Sequence, residues 1–184
     1  MHDGVFNLGN DKQLEVGREG MVLGHEIFGE VVAVGPDAQD VQVGDRRVVY
    51  PWIGCGECAT CKRGEEQLCT PGRALGIAVN GGFADHVIIP HSRYLFDKGS
   101  VSDALAATYA CSGLTAYSAL KKVGELQDDD ALVIIGAGGV GMMAIQIAIS
   151  SMGIDPIVVD IDESKLAAAR ELGVTQTFNS SDLQ

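Results

Sequence analysis

Positive charge is scarce in this 184-residue chain: Lys and Arg number 13 against 25 Asp and Glu, a formal net charge of −12. A nucleic acid or an anionic membrane would want a basic face, so the balance argues against either as a partner, and the acidity reads as solubility. Long apolar runs are also missing. The longest, from Ala131 to Ile149, is interrupted by the glycines between 136 and 141 and by Gln146, well short of the roughly eighteen residues of a membrane span. Met1-His-Asp-Gly-Val-Phe6 lacks the charged-then-apolar order of a secretory leader. No internal repeat, low-complexity tract or linker-like segment divides the chain. These absences lead to the expectation of a cytoplasmic chain with no nucleic-acid or membrane partner.

What is present is 46% hydrophobic residue and 24 glycines, which suits a globular chain of one large or two small domains with many tight turns. Residues 1 to 20 are polar and aperiodic and read as a loop or a loosely anchored end. From Val22 to Pro36, from Val41 to Tyr50, from Gly81 to Pro90 and at Tyr94-Leu-Phe96, β-branched segments alternate with glycine turns, which predicts a barrel-like β unit. Val101 to Cys111 predicts a short helix capped by Ser100 or Ser102, and Ser112 to Val123 a second one. Beyond the acidic turn at Gln127–Asp130 the hydrophobic period lengthens from two to about 3.6, the mark of a βαβ unit, so the junction is expected near Cys111 to Gly113.

Four of the five cysteines, Cys55, Cys58, Cys61 and Cys69, form the run C-x2-C-x2-C-x7-C. Thiolates so close in sequence can converge on one soft tetrahedral cation. Two disulfides are an alternative, but such bonds are rare in the reducing compartment that this chain's composition suggests. Ordinary buried thiols explain neither the tight spacing nor the charged residues between them. Zinc suits the set best. An iron–sulfur cluster also takes four cysteines, though the spacing matches neither standard ferredoxin run. Four sulfurs fill a tetrahedron and leave no position for water or substrate, which makes the site a structural one.

The second motif is Gly136-Ala-Gly138-Gly139-Val140-Gly141, entered from the apolar strand Ala131–Ile135 and followed by a helix through Met142, Ile145, Ile149 and Met152. Gly136 allows a tight turn, Gly138 lets the backbone approach a pyrophosphate, and Gly141 lets helix and strand pack closely. The helix N-terminus then offers free N–H groups to phosphates. A second strand, Pro156–Val159, ends in Asp160, about 20 residues past the loop, where an acid accepts ribose hydroxyls and repels a 2′-phosphate. NAD is thereby favoured over NADP. The alternative for Asp160 is a cap for the helix beginning near Ser164.

Together with Gly24-His25-Glu26 and Cys111-Ser-Gly-Leu-Thr115, these motifs resemble the zinc-dependent alcohol dehydrogenases of the medium-chain dehydrogenase/reductase superfamily, along essentially the whole chain. The resemblance implies an α/β protein: a GroES-like β-barrel catalytic domain over 1–112, shortened at its N-terminus and carrying the zinc lobe 55–69, then a partial Rossmann, doubly wound NAD-binding domain over 113–184. It implies reversible NAD-linked oxidation of a primary or secondary alcohol to an aldehyde or ketone, two zinc ions per complete subunit, and a dimeric or tetrameric full-length form. His25 and Cys111 match two ligands of the catalytic zinc, and Glu26 the acidic neighbour beside that metal. Cys55, Cys58, Cys61 and Cys69 match the structural zinc lobe, Thr115 a residue near the nicotinamide, and Lys165 one near the adenosine ribose. Without the resemblance, His25 reads as a satisfied core histidine and Cys111 as a small buried hydrophobe.

The chain departs from that pattern at both ends. Met1–Gly4 resembles the stretch just after the first zinc-ligand cysteine and its proton-relay hydroxyl, so both are expected upstream; His2 aligns with a variable position. Two strands of the Rossmann sheet are expected before Gln184. These readings predict a fragment with little activity of its own, and keep open a non-catalytic zinc-binding piece or a polyol- or aldehyde-oxidising relative. Tyr50-Pro-Trp52 suits either a substrate cleft or packing of the lobe against the barrel.

Overall fold

The computed structural model describes residues 5–7, 13–15, 20–127 and 129–182, and the chain falls into two units, Met1–Cys111 and Ser112–Gln184. In the first unit β1 (Val5–Asn7) pairs antiparallel with β2 (Gln13–Glu15), where a loop was expected. His2 lies outside the described residues. Then β3 (Ile27–Glu30), β4 (Arg46–Val49) and β5 (Leu95–Phe96) form an antiparallel sheet in that order, with Ile27 opposite Val49 and Phe28 opposite Val48. Between β4 and β5 lies α1 (Ala59–Lys62), inside the cysteine lobe. α2 (Asp103–Thr108) is capped by Ser102, whose hydroxyl accepts from the Leu105 N–H.

The sheet's alternation builds two small cores. Val49 and Ile27 point into one with Ile53, Leu75 and Tyr94, while Val48 meets Ala106 and Ala110 in the other. Adjacent strand residues face opposite sides of a sheet, which is why Val48 and Val49 serve different clusters.

The β elements are shorter and more open than the sequence predicts. Among the described residues, no strand runs through Val32–Gly35 or Ala84–Pro90, and the sheets do not close into a barrel. Val31 still pairs, donating to the Asp45 carbonyl and accepting from the Gly44 N–H. Beyond it Val32, Val34 and Ile88 are exposed along a groove of about 960 Å³. β-branched residues hold a strand only where a ladder partner and a covering layer are present.

The second unit begins with α3 (Leu114–Val123). It continues through β6 (Val133–Ile135), α4 (Gly139–Ile147), β7 (Ile157–Asp160), α5 (Glu163–Glu171) and β8 (Gln176–Asn179). The three strands are parallel in the order β6-β7-β8, and Ile145, Val158, Leu166 and Ala169 are fully buried around the sheet's centre. β8 adds a third parallel strand to the two expected. Among the described residues, no helix is long and apolar enough to cross a membrane.

One close approach in the first unit is testable. Gly81 donates to the Val22 carbonyl, and a Cβ there would lie 2.0 Å from the Gly24 oxygen. Gly81→Ala should cost about 1–3 kcal/mol by overpacking. Gly35→Ala, where a Cβ meets nothing within 4 Å, should change the urea midpoint little.

Candidate functional site

The four lobe sulfurs lie within 4.8 Å of one another. Cys58 and Cys61 are 3.5 Å apart, and Cys55–Cys61 and Cys58–Cys69 are each 3.9 Å apart. Sulfurs bound at about 2.3 Å around a tetrahedral ion would be separated by about 3.8 Å, whereas a disulfide needs about 2 Å. All five cysteines are free. Backbone N–H groups of Cys58, Cys61 and Cys55 point at the sulfurs of Cys55, Cys58 and Cys69, each at 3.4 Å. The N–H groups of Cys58 and Glu57 bring the Cys55 thiol down to about 6, and the Cys61 N–H lowers that of Cys58. Desolvation pushes Cys61 up. At Cys69 the Cys55 N–H is outweighed by desolvation and three neighbouring thiols, so it is pushed up to about 12. Such a set ionises together only with a cation among it. Its spacing and softness fit zinc.

His25 sits in the extended stretch before β3, where carbonyls of Val22, Leu23 and Gly24 accept from Gly81, Phe83 and Gly82. Cys111 sits in a π-helical turn, Tyr109–Gly113, a local widening that often marks functional positions. Although 86 residues separate them, His25 Nε2 lies 3.1 Å from Cys111 Sγ. Trp52 ties the pair together: its ring centroid is 5.5 Å from that of His25, and its Nε1 donates to the Ala110 carbonyl at 3.1 Å. Burial, and then the charge of Glu26, raise the Cys111 thiol. Among the described residues the lobe cysteines are the only convergent group of three or more metal-ligating side chains. His25 and Cys111 converge as two, with Glu26 next to His25 in sequence. An imidazole and a thiol at this distance could serve a metal that keeps open positions.

In the second unit, Gly136 turns the chain out of β6 at φ +92°, and Gly138 is the residue from which α4 starts. A Cβ on Gly141 would lie 1.9 Å from the Gly136 oxygen, so close packing requires glycine there. A Cβ on Gly138 meets nothing within 4 Å. That space, with the exposed first turn at Gly139 and Val140, is open to a phosphate group at the helix N-terminus. Asp160 is buried at the end of β7. Its Oδ2 accepts from the Ala137 N–H at 2.6 Å and its Oδ1 from the Asp162 N–H at 2.9 Å, with Lys165 Nζ 3.9 Å away. The cap of α5 is Asp162, which accepts from the Ser164 N–H, so the capping role weighed for Asp160 falls to its neighbour. Thr115 is exposed in the first turn of α3.

The family described as alcohol dehydrogenase GroES-like domain matches residues 5–98, just over half of the chain, and that described as zinc-binding dehydrogenase matches residues 139–184. The chain belongs to the zinc-dependent alcohol dehydrogenases of the medium-chain dehydrogenase/reductase superfamily. A relative named NAD-dependent alcohol dehydrogenase, from Sulfolobus acidocaldarius, is 42% identical over 163 residues, which is 88% of this chain and 47% of the relative. The alcohol dehydrogenase of the archaeon Aeropyrum pernix superposes with a TM-score of 0.78 at 28% identity, over 88% of this chain and 48% of the other. Galactitol-1-phosphate dehydrogenase from Escherichia coli gives 0.75 at 30% identity, over 89% and 47%. This member of the family thus spans about half the length of the curated relatives it matches.

Two roles go beyond the motif reading, which has Trp52 only as a cleft or lobe-packing residue. Trp52 bridges His25 and Ala110, a tie between distant segments that only the fold reveals. Glu66 accepts hydrogen bonds at the centre of the lobe; an acid lying between the third and fourth cysteines was its one visible signal.

The N–H of Ala137, and then that of Asp162, hold the Asp160 carboxyl below the usual carboxylate range. A depressed folded value means stabilisation that is complete above the unfolded value near pH 4 and is lost as pH falls through the folded one. Acid unfolding followed by circular dichroism should therefore show a shallower loss below about pH 4 in Asp160→Asn than in the native chain.

Proposed function

We propose that the native protein carries out NAD-linked interconversion of small alcohols with aldehydes or ketones, and that this chain supplies part of that machinery. The observation that carries the reading is the 3.1 Å approach of His25 Nε2 to Cys111 Sγ beside Trp52. Cys55, Cys58, Cys61 and Cys69 would hold a structural zinc, and His25 and Cys111 would hold a second one with Glu26 as the nearby acid. Bound there, zinc supplies Lewis-acid polarisation of the alcohol oxygen, and NAD supplies the hydride acceptor.

The chain's own residues bind and orient. His25 offers Nε2, and Cys111 offers sulfur from a turn that the Trp52–Ala110 hydrogen bond fixes. The Gly136–Gly141 loop would receive the pyrophosphate, with Gly138 leaving room and Gly139 and Val140 presenting the α4 N-terminus. The Asp160 oxygens accept from backbone N–H groups, and a carboxylate's roughly four acceptor positions leave capacity for a ribose hydroxyl. Its charge disfavours a 2′-phosphate, which supports NAD over NADP. Lys165 lies on the ribose side through its approach to Asp160, and Thr115 is assigned to the nicotinamide end.

Substitution separates the two metal roles. Cys58→Ser should remove the lobe zinc and lower the thermal midpoint, whereas Cys111→Ser should shift it by less than about 4 °C. Zinc analysis of the 184-residue chain should find two equivalents if His25 and Cys111 hold a metal within it, and one if the lobe alone is filled. In a protein extended to the relatives' length, Cys111→Ser should lower alcohol-dependent NADH formation by at least about 100-fold. Unaltered turnover in that variant, or equal thermal loss in both, would contradict the assignment.

A further inference from the structure

Glu66 has no part in the chemistry proposed above, yet its carboxylate gathers three partners from outside the lobe's cysteines. It opens a single 3-10 turn, Glu66–Leu68, between Cys61 and Cys69. Its Oε2 accepts from the Gly54 N–H at 2.8 Å and from the Tyr94 hydroxyl at 2.6 Å, and its Oε1 lies 3.1 Å from Arg93 Nη2. The carboxylate-bearing side chain is 18% exposed, against 53% for Arg93. These donors come from different parts of the first unit. Gly54 immediately precedes Cys55, while Tyr94 is buried in the cluster of Ile27, Val49, Ile53 and Leu75 just before β5. One carboxylate therefore joins the last-ligand segment of the lobe to its first-ligand segment and anchors both to the sheet. Arg93 also donates to the Tyr94 hydroxyl at 2.6 Å, which aims that hydroxyl's proton at Glu66.

We propose that Glu66 is the positioning residue of the cysteine lobe: by tying Gly54, Tyr94 and Arg93 together it preorganises the four sulfurs and sets how slowly a bound zinc leaves. This rests on the reading of the lobe as a zinc site. Metal leaves a four-thiolate site by successive loss of ligands. A tether between the Cys55 and Cys69 ends keeps a detached thiolate close enough to rebind. Without the tether the two ends separate, and the next ligand is lost more readily. Partners just outside the ligand shell typically change metal affinity by about 10- to 100-fold, so an effect of that size on release is expected.

The test is the rate at which the 184-residue chain, loaded with one equivalent of zinc, releases it to an excess of a chromophoric chelator well below the thermal midpoint. Glu66→Ala should release zinc roughly 10- to 100-fold faster than the native chain. Glu66→Gln keeps an acceptor for Gly54 and Tyr94 and should recover most of the native rate. Tyr94→Phe keeps the buried ring, loses only the hydroxyl, and should release faster by roughly 10-fold; it decides the matter if Glu66→Ala does not fold. Leu75→Val loosens the same cluster without touching the carboxylate and should release at the native rate. Native rates in both Glu66→Ala and Tyr94→Phe would overturn the proposal while leaving the zinc site standing. So would Leu75→Val matching Tyr94→Phe, because general loosening would then explain both. A native chain that retains no zinc would overturn the lobe reading and this inference together.

Discussion

Charge balance among four sulfurs is the constraint on which the cysteine lobe depends. Cys55, Cys58, Cys61 and Cys69 stand within 4.8 Å of one another, and thiolates at that spacing repel unless a cation lies between them. Backbone N–H groups already favour anionic sulfur at Cys55 and Cys58, while the surroundings oppose it at Cys61 and Cys69. A divalent ion resolves that opposition. The lobe it would fix lies between β4 and β5, with Trp52 three residues ahead of its first cysteine. Trp52 in turn meets His25 and the carbonyl preceding Cys111. The lobe and the His25–Cys111 pair are thus linked through Trp52 within one unit.

The second unit is organised around a different constraint, a glycine loop whose backbone turns tightly at the start of a helix. Gly136 takes a left-handed turn, any Cβ on Gly141 would collide with the Gly136 oxygen, and the Gly138 position is left open. Asp160 holds the loop from beneath through the Ala137 N–H. The acid that would read a ribose therefore also fixes the shape of the phosphate loop. Loss of its charge would affect stability as well as cofactor choice.

Much of the candidate site's arrangement was legible because its residues sit in short spacings. The cysteine run and the glycine loop each occupy few residues and state their geometry locally. His25 and Cys111 were legible only through resemblance, since an isolated histidine and an isolated cysteine carry no spacing signal. The strands were read too long for a physical reason: Val32, Val34 and Ile88 have β-branched character, but a ladder partner and a covering layer decide whether such residues form a strand. β8 was missed because Gln176-Thr-Phe-Asn179 is short and polar at three of its four positions. Its place is fixed by pairing with β7. Glu66 showed in the sequence only as an acid between the third and fourth cysteines, because its three donors are brought to it by folding.

The central claim is that four sulfurs of this chain enclose one zinc ion. The most direct measurement is X-ray absorption at the zinc edge of the chain loaded with a single equivalent. Four sulfur neighbours at about 2.3 Å should account for the whole first shell. A shell dominated by nitrogen or oxygen at about 2.0 Å, or a chain whose cysteines are found in disulfides and which retains no zinc, would contradict it.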